Sequence, residues 1–153
     1  MAKIWAVMAL SGLLLAPPAT WTWPVDHSPR VLRDFDAPLT EWGPGHRGLD
    51  LDASVGSTVR APVAGRIWFA DRVATRGVVT IRTDQGHLVS MEPVITQVQR
   101  GQRVRAGQGV GTLASGHCPG GCLHIGLRVE GEYRSPALEL GILRRSVLQS
   151  DRW

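Results

Sequence analysis

The sequence predicts an all-β domain, a sandwich or barrel of short, largely antiparallel strands, on three observations. Apolar and polar residues alternate in short runs from about Gly56 to Leu113. Glycine and proline, 18 and 10 in 153 residues, punctuate those runs. Only the stretch after Ser135 reads as a helix, and a short one. Alternation with period two, broken by turn residues every few positions, is the pattern of half-buried strands in a sandwich or barrel. The length allows one domain, and an apolar share of 43% is enough for a core.

The first residues, "MAKIWAVMALSGLLLAPPAT", have the form of a secretory signal peptide. Lys3 gives a positive start, Ile4 to Leu15 an apolar stretch, and Pro17, Pro18 and Ala19 a helix-breaking, small-residue end. The apolar run is shorter than the ~20 residues a spanning helix needs. The expectation is therefore an exported chain with no membrane span after cleavage and a cell-envelope location, with a retained anchor as the alternative. Residues 1–20 are read as signal peptide, 21–40 as an extended lead-in, 41–141 as the β domain and 142–153 as a tail.

Within the lead-in, one short strand is expected near Val31. "STVRAPVAGRIWFAD" gives two strands parted at Pro62 and Gly65. "GVVTIRT" is β-branched and ends in the turn "DQGH". "LVSMEPV" and "GQRVRAGQGVGTL" follow, with glycine at the corners, and "CLHIGLRV" is a last alternating strand turned by "GEY". No long repeat or low-complexity tract is present.

Net charge is +4 with pI about 10.0, and Lys3 is the only lysine. A basic surface suits an anionic cell-wall polymer or nucleic acid. No basic run is interleaved with aromatic residues, which argues against nucleic acid. "RGQRVRAGQGVGTL" is similar to hairpins of lipoyl- or biotinyl-carrier domains, but these need a modifiable turn lysine. The mature chain has none.

The densest chemistry lies in "GHCPGGCLHIGLR", Gly116 to Arg128, with two His, two Cys and four Gly in thirteen residues. On a strand, Cys122, His124 and Gly126 share one face while Leu123 and Ile125 face a core. Upstream, "GHRGLDL" places His46 and Asp50 four residues apart, in what reads as a loop or turn. Two His and one carboxylate, with a water in a fourth position, form a catalytic zinc set. Each residue alone is equally well a surface or structural group; their value lies in combination. In an oxidising compartment a lone Cys pair tends to bridge.

"GHRGLDL", "VGSTVRAPVAGRI", "RGQRVRAGQGVGTL" and "CLHIGLR", in that order, resemble the zinc peptidases of the M23 family, the LytM/lysostaphin type, across about Pro24 to Leu140. The resemblance implies a lysostaphin-type β fold, cleavage of peptide bonds in bacterial peptidoglycan, Zn2+ as cofactor, and His46, Asp50 and His124 as its ligands. It also implies two departures. Cys122 stands where the first His of the family's His-x-His belongs, and Pro93, beside Glu92, stands where a second catalytic His belongs. Secreted members with a similar Cys-containing end imply a Cys118–Cys122 disulfide. Free thiols, or Cys122 as a fourth ligand of a closed structural site, are the alternatives. With both non-ligand histidines replaced, Glu92 and His117 are the candidates for general base. His87, in the "DQGH" turn, and His27 are weaker candidates. Arg47 and Arg128 could meet peptide carboxylates and Trp42 could wall the groove, although a solvated surface and packing explain them equally well. The expected function is a secreted zinc endopeptidase acting on peptidoglycan peptide and working as a monomer; the alternative is an impaired relative that binds wall peptides or regulates another cell-wall hydrolase.

Overall fold

A computed structural model describes residues 21–26, 28–40 and 43–142. The signal-peptide reading, His27, Trp42 and most of the tail lie outside the described residues. Eleven strands are present among them: β1 (Val31–Arg33), β2 (Leu49–Asp52), β3 (Thr58–Arg60), β4 (Gly65–Val73), β5 (Arg76–Arg82), β6 (Leu88–Glu92), β7 (Val94–Thr96), β8 (Arg103–Val104), β9 (Gly109–Leu113), β10 (Cys122–Val129) and β11 (Glu132–Arg134). The main sheet runs β1-β2-β10-β6-β5-β4-β8, with β11 also on β10, and a smaller sheet runs β3-β9-β7. Every pairing is antiparallel. The fold is all-β.

The alternation in the sequence becomes the two faces of the main sheet. Leu49, Leu51, Ile67, Val79, Ile81, Val89, Met91, Leu123 and Ile125 are buried on its inner face. Val59, Val94, Val110 and Leu113 of the small sheet join them in one core. At roughly 25 cal/mol per Å2 of apolar surface removed from water, such side chains contribute about 1.5–3 kcal/mol each. Trp21, Trp23 and Val25 of the lead-in also pack on this core.

Two local readings change. Asp50 lies on a strand rather than in a loop: "LDLD" is only four residues long, and it alternates Leu49 and Leu51 inward against the two aspartates. After Ser135 no helix forms among the described residues; residues 136–141 are turns. Leu140 N–H reaches Pro136 O at 3.1 Å, but Gly141 then takes φ +72° and the single turn ends.

Within the small sheet, β9 runs close to β7. A methyl group on Gly111 would fall on the backbone oxygen of Ile95, whereas one on Gly109 of the same strand would meet only Thr58 Cγ2 at 3.7 Å. Gly111→Ala should therefore destabilise by about 1–3 kcal/mol and Gly109→Ala by roughly 0.5 kcal/mol or less, measured by urea unfolding. Equal losses would contradict this packing.

Candidate metal centre

Strand register assembles the centre. His124 on β10 stands opposite Asp50 on β2 and, on its other side, opposite Glu92 on β6. Directly opposed residues of antiparallel strands share a face, so Asp50, His124 and Glu92 form one row across three strands on the outer face. Leu123 and Ile125 turn to the core and hold that register. His46 arrives from the loop before β2. It is fixed by an isolated bridge with Asp36, N–H to carbonyl at 2.8 and 2.9 Å.

Four side chains converge. Asp50 Oδ1 lies 2.8 Å from His124 Nδ1, 2.9 Å from His117 Nε2 and 3.1 Å from His46 Nε2. His46 Nε2 and His124 Nδ1 are 3.1 Å apart. One ligand atom from each of the four residues falls within a span of 4.8 Å. Zinc bonds of about 2.0–2.1 Å in a tetrahedron separate ligand atoms by roughly 3.3 Å, so these spacings fit such an ion.

Neighbouring groups set the tautomers. His46 Nδ1 lies 2.6 Å from the Asp34 carbonyl, an acceptor, so Nδ1 carries the proton and Nε2 faces the cluster with its lone pair. His117 is arranged the opposite way. Arg76 Nη1 lies 2.8 Å from His117 Nδ1, and a guanidinium only donates. His117 Nδ1 therefore accepts, and its Nε2 presents an N–H to Asp50. A nitrogen bearing a proton has no lone pair for a metal. His46, Asp50 and His124 could hold one, while His117 offers a donor beside it.

Arg76 also pairs with Glu92 Oε1 at 3.0 Å. It thus links Glu92 to His117, a contact that sequence reasoning missed because its partners are far apart along the chain. The Asp34 carbonyl was missed too, since any residue supplies one. His87 stands in the β5–β6 turn, its N–H on Thr83 Oγ1 at 3.1 Å, and is not part of the convergent group. Cys118 and Cys122 are joined in a disulfide with Cα atoms 5.6 Å apart, so no free cysteine remains. The bridge closes the loop immediately after His117, and its sulfurs are not available as thiolate ligands. Gly48 keeps a close approach open: a methyl group there would meet His124 Nε2 at 2.7 Å and fall on the Ile125 carbonyl.

The profile of peptidase family M23 matches residues 44–136, more than half of the chain. The chain belongs to peptidase family M23. It is 44% identical over 108 residues to an uncharacterized protein of Mycobacterium tuberculosis, covering 68% of this chain and 43% of that protein. It is 30% identical over 125 residues to the murein hydrolase activator NlpD of Salmonella typhimurium, covering 79% of this chain and 31% of that one. The chain thus spans less than half the length of these curated relatives. Among solved structures, the catalytic domain of the antimicrobial peptidase lysostaphin from Staphylococcus simulans matches with a TM-score of 0.64 at 20% identity, over 74% of this chain and 92% of that one. A zinc containing peptidase from Vibrio cholerae matches at 0.63 and 21% identity, over 75% of this chain and 38% of that one. These structural likenesses show a shared fold.

The electrostatics of the M23 site favour ligands ready for a cation. Burial alone would raise the Asp50 pKa, but hydrogen bonds to His124 and His117 hold it below its ordinary value. Burial pushes His124 below 6.5, and its hydrogen bond and attraction to Asp50 offset that push only in part. In the metal-free chain both groups bind protons more weakly folded than unfolded. The stability tied to His124 is complete above 6.5 and is lost as pH falls from there through its folded pKa; that of Asp50 follows at lower pH. Chelator-treated protein should melt at lower temperature at pH 5.5 than at pH 7.5, with a smaller difference in His124→Gln. A melting temperature that rises on acidification would contradict the buried placement of His124.

Proposed function

We propose that the chain is a secreted zinc endopeptidase of the bacterial cell envelope, acting on peptide bonds of peptidoglycan. The observation that carries this reading is the convergence of His46 Nε2, Asp50 Oδ1 and His124 Nδ1 within hydrogen-bonding distances of one another. Two imidazoles and a carboxylate are a zinc donor set that leaves one position open.

Zinc held there would polarise a scissile carbonyl and lower the pKa of water towards 7. The chain's own residues divide the remaining work. Glu92, beside His124 on the next strand, is the carboxylate that takes the proton from the attacking water. Arg76 holds that carboxylate in place. His117 is the donor: with Nδ1 occupied by Arg76, its Nε2–H, which meets Asp50 at 2.9 Å, would turn to an oxygen on which negative charge develops. The Cys118–Cys122 bridge limits the freedom of the loop that carries His117. The two histidines whose absence the family resemblance implied are thus replaced in role by Glu92 and His117.

A second reading has its own support. The relatives from Salmonella and Escherichia are named murein hydrolase activators. Under that reading the centre binds zinc and wall peptide without turnover, and the protein regulates another hydrolase.

Hydrolysis separates the two. Purified peptidoglycan is incubated with zinc-loaded protein, and newly exposed amino groups are counted. An enzyme releases them in a manner lost in His124→Ala. Glu92→Gln should lower the rate about 100- to 10,000-fold, and His117→Ala about 100-fold or more, each with zinc content unchanged. No release from several cross-link types while zinc remains bound would transfer the assignment to the activator reading.

A further inference from the structure

A second feature occupies the same outer face of the main sheet as the metal row, at the opposite corner. Arg66 on β4 stands opposite Arg82 on β5 and opposite Arg103 on β8. Three guanidinium-bearing side chains therefore lie side by side across three strands. Like charges placed directly opposite are destabilising. Trp68 follows two residues after Arg66, at an irregularity in the β4–β5 register, and is 44% exposed. Arg82 and Arg100 both stand over its ring, at 5.1 and 5.6 Å from the centroid. One carboxylate, Asp84, pairs into the group, with Arg103 at 3.7 Å and both side chains mostly exposed. Among the described residues, no carboxylate pairs with Arg66, Arg82 or Arg100.

The pairing register connects this corner to the metal row. Arg82 is opposite Leu88, Thr80 is opposite Ser90, and Glu92 continues the same face of β6. Thr80 and Ser90 share a hydrogen bond of 2.9 Å midway. A ligand lying along this face would pass from the arginines, over polar hydroxyls, to His124.

We propose that Arg66, Arg82, Arg100, Arg103 and Trp68 form a docking site for a phosphate-bearing anionic polymer, which holds the wall near the metal row. Arginine forks match phosphate oxygens bidentately, and four of them against one aspartate leave an excess of positive charge for successive phosphates. The ring of Trp68 fixes two of the guanidiniums by stacking. A bilayer carrying anionic lipid has the same headgroup chemistry, but seated on this face it would also cover the metal row; a single polymer chain would not. That the polymer is part of the cell wall rests on the function proposed above; the phosphate recognition does not.

The test is binding of long-chain inorganic polyphosphate to the full chain, followed by calorimetry at two salt concentrations, beside sedimentation with phosphatidylglycerol and phosphatidylcholine vesicles. The expected result is polyphosphate binding that weakens with salt and falls about tenfold or more in Arg82→Gln/Arg100→Gln, with zinc content and melting temperature unchanged. Arg66→Gln/Arg103→Gln should weaken it similarly. Absence of polyphosphate binding, binding by either double variant as tight as that of the unsubstituted chain, or a phosphatidylglycerol preference that those variants abolish while polyphosphate binding persists would each overturn the proposal. None of these readouts measures hydrolysis, so failure here leaves the peptidase reading standing, and failure of that reading leaves this one.

Discussion

The register of β10 between β2 and β6 is the constraint on which the site depends. It sets His124 opposite both Asp50 and Glu92. Side chains on a strand alternate, so a slip by one residue would turn His124 into the core and bring Leu123 and Ile125 out to solvent. Those two side chains are completely buried, and the hydrophobic cost of exposing them guards against the slip. The core therefore does more than stabilise the domain: it fixes which atoms meet on the outer face. Gly126 and Gly48 keep that face open around the His124 ring, because a side chain at Gly48 would strike it.

Around this row, polar partners decide what each nitrogen can do. A carbonyl at His46 Nδ1 leaves its Nε2 free as a ligand. A guanidinium at His117 Nδ1 makes its Nε2 a donor. Two histidines touching the same carboxylate thus have different chemistry, set by one acceptor and one donor behind them. Arg76 couples this choice to Glu92, because the same side chain holds both. The arrangement suits the proposed three-ligand centre, with His117 beside it as a donor.

Much of the fold was legible in the sequence, because strands with one buried face alternate visibly and glycine and proline mark where they stop. β2 was missed as a strand because four residues after Gly48 give too short a pattern. The turn after Ser135 looked helical because local propensity is read without the chain's next contact. In the site, "GHRGLDL" and "CLHIGLR" drew attention to His46, Asp50 and His124 through residue type and family resemblance, and the structure brings all three together with His117. Arg76 had no signal: it is an ordinary hairpin arginine until the fold sets it between Glu92 and His117. Glu92 was singled out as a candidate base, but its ion pair could not be foreseen. Long-range polar contacts of this kind depend on side-chain reach across strands, which no local pattern encodes.

Zinc K-edge X-ray absorption on the zinc-loaded chain reads the ligand set itself. Coordination by His46, Asp50 and His124 gives a first shell of nitrogen and oxygen only, at about 2.0–2.1 Å, with the multiple-scattering signature of two imidazoles. A sulfur shell at about 2.3 Å would place a cysteine on the metal, and a third imidazole would place His117 there. Either result would contradict an open centre built from His46, Asp50 and His124.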